Sequence, residues 1–142
     1  MTLAPDLVKI DGSHGEGGGQ ILRTAISLSA ITGKPVEVTN IRTNRAKPGL
    51  RPQHMAGIRI IADLFHAKFE NLKVGAEWIR FSPSDKFEGG SIKFDIGTAG
   101  SIPLILMTVV PAVSLSNNSL QIEVMGGTDV KASPTIDYIK HI

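Results

Sequence analysis

The chain predicts an α/β protein of the α+β kind, built from repeated β-α-β-α-β-β units in which two helices pack on one face of a four-stranded sheet. Three observations lead there. Short stretches of alternating or continuous apolar residues interleave with longer stretches of helical periodicity. Glycine-rich turns fall where a strand gives way to a helix. The order of elements then restarts, so that Asp11 and Asp95 each end a strand ahead of a glycine turn and a helix, as an internal repeat would.

Leu7 to Asp11 reads as the first strand, and Gly12 to Gly19 as the turn after it. From Gln20 the spacing becomes helical, with Ile21, Leu22, Ala25, Ile26, Leu28 and Ile31 forming an apolar stripe that Gly33 terminates. Val36 to Ile41 is a second strand, Arg42 to Pro52 a basic loop, and Gln53 opens a second helix buried through Met55, Ile58, Ile61, Leu64 and Phe65. Strands near Phe69 to Val74 and Trp78 to Phe81 form a hairpin that completes a first unit over residues 1–90. The second unit, 91–142, has a strand at Ile92 to Ile96, a small-residue turn at 97–100 and a helix at Leu104 to Val113. A strand at Leu120 to Val124, a turn at 126–129 and a helix opening at Pro134 follow. The pattern stops before its last two strands. The sheet edge left unpaired leads us to expect a fragment of a longer protein, or one completed by a partner.

At 42% hydrophobic and 20% charged, the chain can bury a core and is not disordered in bulk. Aromatic residues make up only 5%, so that core is aliphatic. A net charge of +2 says little alone; what matters is where the basic groups sit. The absence of cysteine excludes disulfides and thiolate metal sites, in keeping with a reducing cytoplasm. Met1 to Asp6 lacks the regions of a signal peptide. The longest apolar stretch, Ile102 to Leu115, is broken by Pro103, Thr108 and Pro111 and is too short to span a bilayer. A soluble, cytoplasmic protein without a membrane partner is expected.

Two segments carry chemistry. In the first, four glycines surround Glu16 between Gly15 and Gly19, directly before a helix, where backbone N–H groups favour an anion. The wording is neither the dinucleotide fingerprint, whose last glycine is here Gln20, nor a Walker loop, since Pro35 follows Gly33 and Lys34. A turn that merely needs positive φ is the plainer reading. Glu16 has no apolar role; it either holds a cation beside phosphates or is an exposed acid near a helix start. In the second segment, Arg42, Arg45, Lys47, Arg51 and Arg59 meet no acid between Glu37 and Asp63. The arginine fork matches two phosphate oxygens at once. This run leads straight into a helix start at Gln53 and His54, and Arg23 lies one turn beyond Gln20 on the first helix. Of the four histidines only His54 sits where a phosphate contact is natural; His66 reads as structural. No metal-ligand spacing and no nucleophile elbow occur.

The run from Asp11 to Arg23 (DGSHGEGGGQILR) resembles the amino-terminal signature of the RNA 3′-terminal phosphate cyclase family, and Ile41 to His54 (IRTNRAKPGLRPQH) resembles its second. GTAGS at 97–101 and GGTD at 126–129 are similar to two later family segments, in the same order. The resemblance implies a domain of repeated β-α-β-α-β-β units and an ATP-dependent enzyme of the ligase class. That enzyme converts an RNA 3′-terminal phosphate to a 2′,3′-cyclic phosphate through histidine–AMP and RNA–adenylate intermediates, splitting one hard step into easier ones. It implies ATP and Mg²⁺ or Mn²⁺ as cofactors and RNA with a 3′-terminal phosphate as partner, and allows a homodimer. Carried over by position, Glu16 would bind the metal. Gln20, Arg23, Arg42, Arg45, Gln53 and His54 would hold phosphates of ATP or of the RNA end. Met107, Pro134 and Asp137 would lie at the nucleotide, although Met107 departs from the glutamine that often stands there. The family's nucleophilic histidine is expected beyond Ile142, so the chain alone would be inactive and would supply the phosphate- and metal-gripping part. The alternative is a non-catalytic, RNA-binding ribosome-assembly homologue. Such relatives tend to lose the phosphate-gripping side chains that this chain keeps.

Overall fold

The computed structural model describes residues 7–97, 100–128, 130–131 and 133–141. The first unit runs β1 (Val8–Asp11), α1 (Gly19–Thr32), β2 (Val36–Thr39), α2 (Pro52–Phe65), β3 (Lys68–Glu70) and β4 (Ile79–Ser82). Its four strands lie in the order β1-β2-β4-β3, with β1 and β2 parallel and the other pairs antiparallel. The second unit repeats the opening with β5 (Gly90–Asp95), α3 (Ile102–Ser114), β6 (Leu120–Met125) and a short α4 (Ile136–Lys140). Here β5 and β6 pair in parallel.

Alternation sets the faces of the first sheet. Val36, Val38, Ile79 and Phe81 point inward and are buried against Leu22, Ala25 and Ile26 of α1 and Ile58, Ile61 and Phe65 of α2. Across the outer face Lys9, Glu37, Arg80 and Glu70 stand in register, alternating in sign, and Arg80 Nε donates to Glu37 Oε2 at 2.6 Å. That face is built for water. The helices face the second unit instead: α3 packs on both α1 and α2 through Ile105, Thr108, Val109 and Ala112. Thr108 packs beside Gly57 of α2, and the Ser27 hydroxyl donates to the Thr108 carbonyl.

The repeat extends to single hydrogen bonds. Asp11 Oδ1 accepts from the Ser13 N–H at 2.9 Å, and Asp95 Oδ1 from the Gly97 N–H at 2.8 Å. The Gly12 N–H reaches the Thr39 carbonyl, and the Ile96 N–H reaches that of Met125. Differences from the expected boundaries have local causes. Strand β2 ends at Thr39 rather than Ile41, and β3 at Glu70 rather than Val74, because Asn40 and Asn71 take left-handed φ values of 51° and 66°. The last helix opens at Ile136, not Pro134, because the Thr135 hydroxyl accepts from the Tyr138 N–H and caps it. Thr98, Ala99 and Asp129 of the second unit's turns lie outside the described residues. No helix among the described residues is long and apolar enough to cross a membrane.

Candidate functional site

Parallel pairing of β1 and β2 brings the segments that follow them to one end of the sheet. After β1 comes the glycine turn, organised by a carboxylate. Asp11 Oδ1 accepts from the Ser13 N–H, the Ser13 hydroxyl and Asn40 Nδ2, at 2.9, 2.7 and 3.2 Å, so it ties the turn to the residue after β2. These donors, Ser13 first, hold the Asp11 carboxyl below its ordinary value. Gly15 and Gly17 have φ near 63° and 62°, the left-handed region that glycine enters without a steric penalty. Gly18 is the N-cap of α1 and offers no capping side chain, and no acid occupies the first helical turn. The helix start is left facing outward with its positive end uncompensated.

After β2 comes the basic segment. Arg42 has φ 52°, and its Nη1 donates to the carbonyls of Lys47 at 2.7 Å and Gly49 at 2.9 Å. The segment leaves through a ribbon in which Gly49 and Leu50 bond to Ile41 and Ala76. Gly49 lies so close to the Gly75 carbonyl that no side chain fits there. Helix α2 then begins at Pro52 with Arg51 as N-cap. The Arg51 N–H donates to His54 Nδ1 at 3.0 Å, the reach-back half of a capping box. That bond keeps Nδ1 unprotonated and leaves the ring's proton on Nε2.

The two segments meet. Arg45 Nη2 donates to the Glu16 carbonyl at 3.2 Å, and a Cβ added to Gly18 would stand 2.9 Å from the same nitrogen. A Cβ on Gly19 would stand 2.5 Å from His54 Nε2 and 3.0 Å from Arg23 Nη1. The bare glycines are what let Arg45, His54 and Arg23 close on the start of α1. A cleft of about 530 Å³ opens beside them, lined by residues 14–21, Arg23 and Arg45.

Charge in this cluster is one-sided. Among the described residues Arg23, Arg42, Arg45 and Arg51 have no carboxylate within ion-pair distance, unlike Arg80 on the outer face. Arg23 Nε is buried without a hydrogen-bond partner, and burial, then Arg42, pushes that guanidinium below its ordinary value. His54 is 5% exposed, and its pKa falls from 6.5 to about 3, first through burial and then through Arg23, Arg42 and Arg51. Buried cations without counter-charge are costly, and an arriving anion relieves them.

Of the residues singled out from the sequence, Glu16, Gln20, Arg23 and Arg45 line this cleft, and His54 lies buried against its Gly19 wall rather than in its lining. Gln20 turns along the helix, its Nε2 donating to Thr24 Oγ1 at 3.1 Å. Arg42 lies within the same cationic cluster but commits Nη1 to backbone. Gln53 is half-buried beside Pro52 on the first turn of α2. Met107 on α3, Pro134 and Asp137 belong to the second unit and do not line the cleft. Sequence reasoning gives Asp11 and Gly19 no individual role, although both lie in the run from Asp11 to Arg23. The Asp-Gly-Ser wording signals the side-chain turn that Asp11 makes, whereas nothing local signals the approach of His54 to Gly19.

A family model described as RNA 3′-terminal phosphate cyclase matches residues 14–142. A protein of Pyrococcus furiosus named RNA 3′-terminal phosphate cyclase is 50% identical over 136 residues, covering 96% of this chain and 40% of that protein. The protein of the same name from Methanosarcina acetivorans is 48% identical, covering 96% of this chain and 38% of its own length. That from Thermococcus kodakarensis is 51% identical over 135 residues, covering 95% and 38%. The chain thus spans about 40% of the length of the curated relatives it matches. With both cleft-forming segments inside the matched region, the chain belongs to the RNA 3′-terminal phosphate cyclase family.

Proposed function

We propose that the protein carrying this chain converts an RNA 3′-terminal phosphate to a 2′,3′-cyclic phosphate at the expense of ATP, in the cytoplasm, and that this chain grips the phosphates. One observation carries the reading: Arg23, Arg45 and His54 converge, without a carboxylate partner among the described residues, on an uncapped helix start walled by glycine. Such a pocket suits a multiply charged anion, because the arginine forks, the imidazole N–H and the first-turn N–H groups are all donors. ATP, when bound, supplies AMP as the leaving group that activates the RNA phosphate. In this reading the phosphates sit against Arg23, Arg45, His54 Nε2 and the N–H groups of the glycine turn. Gln20 and Gln53 border them, and Met107, Pro134 and Asp137 serve the nucleotide from the second unit.

A divalent cation, Mg²⁺ or Mn²⁺, fits only in a limited way. Glu16 is the one carboxylate among the residues lining the cleft, and no group of three ligating side chains occurs among the described residues. A cation held by one carboxylate and several phosphate oxygens matches that supply, so the metal would enter with the phosphates. His54 is unsuited to nucleophilic attack, since Nδ1 accepts the Arg51 N–H and Nε2 carries the ring's proton. We assign the nucleophilic histidine of the reaction to the part of the protein beyond this chain.

The test is to incubate the whole protein with ATP, Mg²⁺ or Mn²⁺ and an RNA ending in a 3′-phosphate, and to score the phosphatase-resistant cyclic end. ATP-dependent cyclisation lost on Arg45→Ala supports the proposal. Tight RNA binding without cyclisation would replace it with a binding role.

A further inference from the structure

We infer that Arg42 is a positioning residue: by bridging the Lys47 and Gly49 carbonyls it folds the basic loop so that Arg45 meets the glycine turn. The inference rests on the phosphate-binding reading of this cleft, and it separates two arginines that the sequence presents as equivalent. Both stand in the same acid-free run, yet their bonding differs. Arg45 reaches across to the other segment, to the Glu16 carbonyl. Arg42 reaches back into its own, with one nitrogen, Nη1, serving both carbonyls.

The geometry explains why the loop needs such a bridge. Arg42 begins it in the left-handed region at φ 52°, which disfavours a non-glycine residue. The Arg42 carbonyl accepts the Arg45 N–H at 3.1 Å, so a tight turn sets the direction in which Arg45 departs. Gly49, at the far end, bonds to Ile41 next to Arg42. The guanidinium of Arg42 spans the mouth between these ends. It fixes the loop entrance from which Arg45 projects.

Arg42 acting through Arg45 has consequences that direct contact with an anion would not share. Affinity for inorganic pyrophosphate, measured by calorimetry, should fall about tenfold for Arg42→Ala, the order expected on losing hydrogen bonds from a charged donor. Adding Arg42→Ala to Arg45→Ala should cost less than threefold more, because the second residue's route is already gone. Arg42→Lys should restore affinity to within about threefold of the original, since both carbonyls are served from a single nitrogen and one ammonium can reach both. A bidentate phosphate contact would not be restored by lysine. Amide hydrogen exchange at Arg45 and Gly49 should quicken in Arg42→Ala and recover in Arg42→Lys. Multiplying losses in the double variant, failed rescue by lysine, or unchanged exchange would each overturn the inference. If the unaltered protein binds no pyrophosphate, the phosphate reading fails, and the exchange measurement still decides whether Arg42 holds the loop.

Discussion

Lowering the pH from neutral should weaken this fold by a definite amount through one ring. His54 has an ordinary pKa of 6.5 and a folded value of about 3, set by burial and by Arg23, Arg42 and Arg51. The unfolded chain therefore takes up a proton on this ring as pH falls through 6.5, while the folded chain does not until about pH 3. The unfolded state gains protons first, so the stability that His54 contributes is complete above pH 6.5 and drains away as pH falls from there toward 3. One unit corresponds to about 1.4 kcal/mol, so between about pH 7 and pH 5 the loss is about 2 kcal/mol. Urea unfolding at those two values, on the original protein and on His54→Gln, isolates it. Glutamine at this position can still reach back to the Arg51 N–H but does not titrate. The original should lose about 2 kcal/mol more than the variant over the interval. Equal losses would show that His54 is not held neutral, and the account of a buried imidazole among guanidiniums would fall with it.

Three further predictions follow from the same contacts. Gly19→Ala puts a methyl group 2.5 Å from His54 Nε2; it should cut pyrophosphate affinity by about tenfold or more and destabilise the protein by about 1–3 kcal/mol, read by calorimetry and urea melts. Arg45→Lys keeps the charge but loses the planar fork, so affinity should drop about tenfold at constant net charge; an unchanged dissociation constant would remove the bidentate role. RNA binding should weaken as salt rises, and the slope of log affinity against log salt should shrink by about 1 for each phosphate-contacting arginine removed.

Much of the fold is legible because its cues are local. The stripe from Ile21 to Ile31 and the stop at Gly33 define α1, and Gly33 does take φ 75° and close the helix onto Ser29. Placing both chemical segments at one end of the sheet follows from the β-α-β order, which pairs β1 and β2 in parallel. Strand ends are less legible, because Asn40 and Asn71 are compatible with extended and left-handed backbone alike. Within the site, the gathering of Arg23, Arg45 and His54 is readable from motif order. Their division of labour is not. Arg42 and Arg45 are the same residue type in the same run, and only tertiary distances show that one grips its own loop while the other crosses to Glu16. The need for glycine at position 19 is likewise set by a side chain 35 positions away, His54, and no local pattern carries it.

The most direct test is a titration of inorganic pyrophosphate into isotope-labelled protein, following backbone amides and arginine side-chain resonances. One pocket built from two segments predicts that the amides of Gly17 to Gly19 and the guanidinium of Arg45 move together along a single binding curve. Shifts confined to one segment, or two curves with different midpoints, would contradict a shared site.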